Sequence, residues 1–214
     1  MKSQVSKIDP KEIVQNGYDR IAEKYTAWTK TVRIEERERY TDFILNNLAI
    51  GSKVLELGCG SGDPTTIRLA EHFSVTGVDI SQKQIKFARR NVPQATFIQG
   101  DMTRLMFPTA VFDAVVAFYS ITHVPRKQHA NLLTSVANWL KPGGLFVGSM
   151  SSGPLIDCVE NWLGTPMYFN GYDVRTNLRI VKNAGFEILS DKFETAEEDS
   201  VKSVTFLWII ARKS

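Results

Sequence analysis

Apolar residues in the first quarter of the chain recur at three- and four-residue steps. Ile13, Tyr18, Ile21, Ala22 and Tyr25 form one such series, and Tyr40, Phe43, Ile44 and Leu48 form another. This spacing predicts helices up to about Leu48. After Gly51 the rhythm changes to short apolar runs at 54–57, 75–78, 95–98, 112–118 and 145–147, then 186–189 and 204–211. Runs this short, separated by helical patterns, read as strands alternating with helices. The punctuation agrees. Asp63-Pro64 offers an N-cap with proline at the first helical position, and the four residues from Ser81 to Gln84 fit a capping box. Pro125 can open a helix that ends at Leu140, where Lys141-Pro142-Gly143-Gly144 stops it. Asp173 can cap the next helix and Gly185 can close it. Five successive strand–helix steps imply an α/β fold, a largely parallel sheet with helices on both faces. Between Leu189 and Val204 lies only a polar, acidic stretch without helical period, so the last two strands should pair as an antiparallel hairpin.

A length of 214 residues with 43% apolar content suits one α/β domain over 1–214. Its 1–50 segment should be a helical cap and 51–214 the sheet core. The opening residues are polar and lack the apolar stretch of a signal peptide. The most apolar runs, around 114–117 and at 204–211, are far too short to cross a bilayer. A cytoplasmic protein with no membrane partner is expected. Cys59 and Cys158 cannot build a disulfide framework, and no His or Cys neighbours have metal-ligand spacing, so no metal is expected. The net charge is +3, and the charge runs at 33–39 and 83–90 mix with apolar residues at helical spacing. They read as solvated helix faces rather than nucleic-acid patches.

The chemistry concentrates at the ends of the predicted strands. Val54-Leu55-Glu56-Leu57-Gly58-Cys59-Gly60-Ser61-Gly62 runs a buried strand into a glycine loop before a helix, where backbone can approach a ligand closely. The dinucleotide fingerprint needs glycine at the sixth position from Gly58, and Asp63 stands there, which argues against a dehydrogenase. Asp79 ends the second strand about 20 residues after the loop, placed to accept ribose hydroxyls. Asp101 and Met102 follow the third strand, where a carboxylate could take an adenine amino group and a thioether could cover the ring. The fourth strand runs out through Phe118, Tyr119 and Ser120 to His123 at the carboxyl edge, where ligands sit in such folds.

These four segments in this order, with the stop at Leu140-Lys141-Pro142-Gly143-Gly144, resemble the class I S-adenosylmethionine-dependent methyltransferases. The likeness covers most of the chain from Val14 to Lys213. It implies a Rossmann-like, doubly wound seven-stranded sheet in the order 3-2-1-4-5-7-6, with strand 7 antiparallel and N-terminal helices over the cofactor. It also implies S-adenosylmethionine as that cofactor. Gly58, Gly60 and Gly62 would cradle its methionine portion, with Glu56 bracing the loop. Asp79 would hold the ribose, Ile80 would pack on the adenine, and Asp101 and Met102 would bind the adenine edge. The backbone at Phe118 would meet the ammonium group. The stretch from Gly17 to Tyr25 is similar to the N-terminal helix that closes over the cofactor in many small-molecule members, with Tyr25 touching it.

Methyl transfer requires a nucleophile aligned with an activated methyl group, and a base where that nucleophile carries a proton. His123 is the candidate base, with an unperturbed pKa near 6.5. His72 and His129 fall within helical patterns. The place after the fourth strand reads Phe118-Tyr119-Ser120-Ile121, unlike the Asn/Asp-Pro-Pro-aromatic motif of nucleic-acid amino methylation, and neither cysteine suits cytosine carbon chemistry. A small-molecule acceptor is therefore expected, with no nucleic-acid partner. Tyr18, Trp28, Tyr119, Trp162, Met167, Tyr168 and Phe169 are its candidate contacts. The last four lie in a segment, 158–172, that resembles a stretch of compact microbial and fungal methyltransferases attached to secondary metabolism. Crowded with large apolar groups and broken by Gly164, Pro166 and Gly171, it is expected to be a lid that is neither regular helix nor good strand. Two further readings keep the fold: a protein that promotes a cyclisation with the bound sulfonium, and a catalytically silent binding module.

Overall fold

The computed structural model describes residues 9–199 and 202–214; the polar opening of the chain lies outside them. Helix α1 (Pro10–Trp28) starts where the Asp9 carboxylate accepts the Lys11 N–H at 3.0 Å and Pro10 fills the first turn. Helix α2 (Ile34–Asn47) follows a break at Arg33, which holds a left-handed φ of 59°. The core then alternates β1 (Lys53–Leu57), α3 (Thr65–Ala70), β2 (Ser74–Asp79), α4 (Gln82–Asn91), β3 (Thr96–Gln99) and β4 (Phe112–Ala117). It continues through α5 (His129–Trp139), β5 (Leu140–Ser151), β6 (Leu155–Trp162), β7 (Thr165–Gly171), α6 (Val174–Asn183), β8 (Phe186–Asp199) and β9 (Lys202–Lys213).

Seven strands form one sheet in the order β3-β2-β1-β4-β5-β9-β8, with β9 antiparallel to both neighbours. Counting only strands of this sheet, that is the 3-2-1-4-5-7-6 order. Both faces are covered, which is why the parallel strands are near-continuous apolar runs. Leu55 and Leu57 point to the face where Leu133, Val136 and Val181 of α5 and α6 pack. Val54, on the other face, meets Tyr40 and Ile44 of α2 and Leu69 of α3. Tyr40 stacks on Trp208 of β9 at 4.0 Å and 6°, fixing α2 against the far side of the sheet. Among the described residues no helix is long and apolar enough to cross a membrane.

Several local expectations are corrected. Helix α3 begins at Thr65 after Pro64, so Asp63 does not cap it, and its carboxylate pairs with Lys30 at 3.3 Å. Only half of the expected capping box forms: Ser81 Oγ accepts from the Gln84 N–H, but the Ser81 N–H donates to Asp79 Oδ1 at 2.9 Å. The acidic stretch after Leu189 is itself strand, carrying β8 on to Asp199. The 158–172 segment is a regular antiparallel hairpin, β6–β7, turning at Leu163 and Gly164 with φ of 51° and 91°. Positive φ at both central residues is what a tight two-residue turn demands. Leucine rather than asparagine in the first place hides that signal. Pro166 is tolerated because a two-stranded sheet has free edges.

Backbone passes close at Gly58, just beyond the end of β1, where the chain leaving β4 lies against it. A Cβ there would lie 2.3 Å from the Cβ of Ser120, and the residue has φ of 79°. Gly51 also has positive φ, 82°, but a Cβ there meets nothing within 4 Å. Gly51→Ala should therefore cost about 1–2 kcal/mol, the left-handed penalty alone. Gly58→Ala adds an overpacking cost and should lose roughly 3 kcal/mol or more. Urea titration of the two variants checks the difference.

Candidate active site

The site forms at the carboxyl ends of the parallel strands. The loop after β1 turns back with Gly58 N–H and Cys59 N–H both donating to the Val78 carbonyl, at 2.7 and 3.0 Å. Gly60 has φ of 54°, and a Cβ there would project toward the Tyr25 ring, 3.7 Å away. Glu56 is buried under this loop and accepts from the Thr66 hydroxyl at 2.6 Å, tying the end of β1 to α3. Burial pushes its carboxyl up to about 8, against that hydrogen bond. Asp79 Oδ2 accepts the Gly60 N–H at 2.9 Å, while Oδ1 holds the Ser81 N–H. Burial lifts Asp79 to about 6, and these two N–H donors hold it down, so it is mainly ionised at neutral pH. A carboxylate has about four lone-pair sites, so two remain for ligand hydroxyls.

Around Asp79 a narrow cavity of about 60 Å³ is lined by Gly58, Gly60, Ile80, Asp101, Met102 and Phe118, with Lys11, Tyr18 and Tyr25 of α1 closing it. Asp101 is spoken for in part: Oδ2 pairs with Lys11 and Oδ1 accepts from Thr103 N and Oγ1. Burial works to raise its pKa, but Lys11 and Thr103 outweigh it and hold the group low. A small extension of about 30 Å³ runs beneath the loop between Tyr25, Arg37, Glu56, Ser61 and Phe118. The cradle at Gly60, the ionised Asp79 and the apolar Ile80 and Met102 fit the glycine-loop, ribose and adenine ends of S-adenosylmethionine.

Helix α1 is fastened across this cavity by side chains. Asp19 Oδ1 accepts from Ser81 Oγ at 2.6 Å and from Lys83 N at 3.0 Å, and Lys24 Nζ donates to the Leu163 carbonyl at 2.9 Å. Tyr18 Oη lies 2.8 Å from His123 Nε2, and His123 Nδ1 lies 2.8 Å from the Tyr168 carbonyl. A carbonyl can only accept, so Nδ1 carries the proton and the Tyr18 hydroxyl donates to the Nε2 lone pair. Burial depresses His123 to about 4, opposed by the Tyr168 hydrogen bond and helped by the Arg33 charge. Titration near 6.5, expected from the sequence, is thus corrected: the imidazole is neutral throughout the physiological range.

Beyond Tyr18 and His123 a second cavity of about 410 Å³ opens among Trp28, Trp162, Phe169 and Phe206. Trp162 is 5.9 Å from Tyr18, 5.6 Å from Tyr25 and 5.5 Å from Trp28, so the β6–β7 turn and α1 share one aromatic cluster. Tyr18, Tyr25, Tyr119 and His123 line both cavities.

Most candidates read from the sequence thus meet around two connected cavities. Glu56 reaches only the small space beneath the loop, and three others face neither cavity. Gly62 turns toward α4, where a Cβ would stand 3.0 Å from Val92 Cγ2, so it serves helix packing and not ligand approach. Met167 and Tyr168 are fully buried in the cluster that also holds Val14 and Ile21 of α1; as neighbours on β7 they point to opposite faces, and both faces are covered there. Lys11, Arg33, Arg37 and Thr122 line the cavities without having been singled out. Each sits in a helix or turn whose orientation depends on packing against distant strands.

A family model described as a methyltransferase domain matches residues 54–144. An uncharacterised methyltransferase of Synechocystis is 36% identical over 140 residues, 64% of this chain and 63% of its own. A sterol 24-C-methyltransferase of Gibberella zeae is 28% identical over 192 residues, 75% of this chain and 47% of its own. The matched stretch thus spans less than two thirds of either relative. A crystal structure of magnesium protoporphyrin IX methyltransferase from Synechocystis superposes with a TM-score of 0.75 at 18% identity, covering 98% of this chain and 99% of that one. Residues 54–144 thus carry a methyltransferase domain, and in sequence and fold the chain resembles the class I S-adenosylmethionine-dependent methyltransferases.

The state of His123 is directly measurable. Its folded pKa lies below the unfolded value of about 6.5, so the unfolded chain takes up the extra proton first as pH falls. Its contribution to stability is complete above about 6.5 and lost as pH drops toward about 4. Nitrogen-15 spectra should show a neutral imidazole protonated at Nδ1 from pH 8 down to about 5.5. A titration midpoint near 6.5 would mean that the site is wet.

Proposed function

We propose that this protein transfers a methyl group from S-adenosylmethionine to a small-molecule acceptor held in the aromatic cavity. The observation that carries this reading is the junction of two cavities. One has the glycine loop and Asp79, the other has aromatic walls, and they meet at Tyr18, Tyr25, Tyr119 and His123. When bound, S-adenosylmethionine supplies a methyl group activated by attachment to a positively charged sulfur.

The roles of the chain's own residues follow from their positions. Gly58, Gly60 and the backbone at Phe118 hold the methionine end, with Glu56 bracing the loop from below and Arg37 supplying positive charge at that end of the cavity. Asp79 takes the ribose hydroxyls through its free lone pairs. Ile80 and Met102 cover the adenine, and Asp101, already oriented by Lys11 and Thr103, accepts at its edge. Tyr25 closes the cavity over the junction. Trp28, Tyr119, Trp162 and Phe169 position the acceptor and exclude water. Met167 and Tyr168 act from behind: their burial against α1 seats the hairpin, and the Tyr168 carbonyl sets the His123 tautomer. His123 Nε2 is then a neutral proton acceptor, reached through the Tyr18 hydroxyl that donates to it.

Two variants test the assignment. Asp79→Asn removes the charge from the ribose bonds, which are worth about 1.5–3 kcal/mol each when charge-assisted. Affinity for S-adenosylhomocysteine by calorimetry should fall about tenfold or more, and the melting temperature should fall by a few degrees, because the amide nitrogen cannot accept one of the two backbone N–H bonds that Asp79 takes. Unaltered affinity would overturn the cofactor assignment. His123→Ala should lower kcat about a hundredfold with cofactor affinity intact. The wild-type rate, if set by this base, should be flat from pH 6 to 8, since the imidazole is already neutral there.

A further inference from the structure

Helix α1 holds its two neighbours in different ways. Gly17 stands in its interior, where glycine weakens a helix. Close packing explains it: a Cβ there would lie 2.8 Å from Met167 Cε and 3.1 Å from the Pro166 carbonyl oxygen of β7. Val14 and Ile21, on either side, share a buried cluster with Met167 and Tyr168. Further along, Trp162 meets Tyr18, Tyr25 and Trp28. The face between α1 and the hairpin is thus apolar and interlocked, the kind that stays together.

Toward the strand ends the contacts of α1 are mainly polar, apart from Ile80 at the edge of the same cluster. Lys11 is tied to Asp101 and Thr103, Tyr18 to His123, Asp19 to Ser81 and the Lys83 N–H, and Lys30 to Asp63. Each of these bonds can be exchanged for bonds to water at small net cost. The hairpin meets the strand ends through His123, whose Nδ1 donates to the Tyr168 carbonyl. Both bonds of that ring therefore lead to the same pair of elements, α1 and the hairpin.

Something must part for a cofactor to enter. The cavity around Asp79 is about 60 Å³, below the roughly 300–1,000 Å³ of small-ligand sites, and Lys11, Val14, Tyr18 and Tyr25 of α1 close it. A molecule made of a nucleoside and an amino acid passes only when α1 lifts. The polar ties to the strand ends give way before the interlocked apolar face does, so the hairpin goes with the helix. Short connections at 152–154 and 172–173, outside any helix or strand, join the hairpin to the rest of the chain. When the pair lifts, Trp28, Trp162 and Phe169 leave the wall of the aromatic cavity, while Phe206 of β9 stays with the sheet.

Resting on the cofactor assignment above, we propose that α1 and the β6–β7 hairpin are one lid that opens and closes both cavities together. The acceptor site is complete only while the cofactor is enclosed, and an acceptor held there keeps the cofactor from leaving.

Hydrogen exchange on the full-length wild type reads this coupling. A lone helix and a lone two-stranded hairpin are each marginal in water, so amides of both exchange when the lid is undocked. Saturation with S-adenosylhomocysteine should slow exchange about tenfold or more in both 10–28 and 155–171, with α6 unchanged. None of the described hairpin residues lines the cofactor cavity, so their protection reports the lid and not ligand contact. Two bridges, built in a Cys158→Ser background, locate the opening. Asp19→Cys with Ser81→Cys allows a disulfide from α1 to the strand ends, where the native side chains already touch. Lys24→Cys with Leu163→Cys, joined by a short thiol cross-linker, ties α1 to the hairpin. Release of tritiated S-adenosylhomocysteine is followed in a chase with the unlabelled compound, each bridged form against the same variant unbridged. The bridge to the strand ends should slow release about tenfold or more, and the bridge to the hairpin should leave it within about twofold. The proposal is overturned if S-adenosylhomocysteine protects α1 but not the hairpin, if the strand-end bridge leaves release unchanged, or if the hairpin bridge slows it equally. Failure of the wild type to bind S-adenosylhomocysteine would instead remove the cofactor assignment, and this inference with it.

Discussion

One neutral imidazole joins three parts of this molecule that are far apart in sequence. His123 stands beyond the end of β4, its Nδ1 donates to the Tyr168 carbonyl on β7, and its Nε2 accepts from Tyr18 on α1. The sheet, the β6–β7 hairpin and the N-terminal helix therefore meet at a ring whose two nitrogens are both occupied. The arrangement requires the ring to be uncharged, because a protonated Nε2 could no longer accept from Tyr18. Burial supplies that condition by depressing the histidine to about 4. Tyr18 and His123 line both cavities, so this link stands where the two meet.

Burial acts differently on the acids beneath the glycine loop. Glu56 and Asp79 are both enclosed, yet Asp79 takes two backbone N–H bonds while Glu56 takes one hydroxyl. Asp79 accordingly rises to about 6 and Glu56 to about 8. Of two carboxyls close in space, one is poised as an anion facing the cavity and the other is poised near neutral as a brace. Asp101 is the contrasting case at the rim, held ionised by Lys11 across from α1. The N-terminal helix thus contributes charge as well as cover.

Local strain collects beside the aromatic cavity. Arg33 and Tyr119 adopt left-handed backbone and stack on one another, and Leu163 does the same in the hairpin turn that presents Trp162. Non-glycine residues in this region cost of order 1–3 kcal/mol each unless surrounding packing dictates them. Here the packing is the aromatic cluster of Tyr18, Tyr25, Trp28 and Trp162, which interlocks α1 with the hairpin.

The parts legible in the sequence are those whose physical cause is local. Runs such as 54–57 and 112–117 are apolar because both faces of a parallel strand are covered, and the period changes where helices intervene. The loop glycines, Asp79 and Asp101 were legible because a strand end fixes where the next few residues must lie. What the sequence left undecided are relations between segments far apart along the chain. The 158–172 hairpin was hidden by a Leu-Gly turn, and Met167 and Tyr168 could not be placed until the packing around β7 showed both of its faces covered there. Gly62 looks like its neighbours in sequence, and only the position of α4 shows that it faces a helix. Lys11, Arg33, Arg37 and Thr122 carry no motif, and they gain a role when helices from the first fifty residues close over the sheet edge. The protonation of His123 was beyond the sequence for the same reason: a pKa is set by what surrounds the ring, and tertiary packing supplies those surroundings.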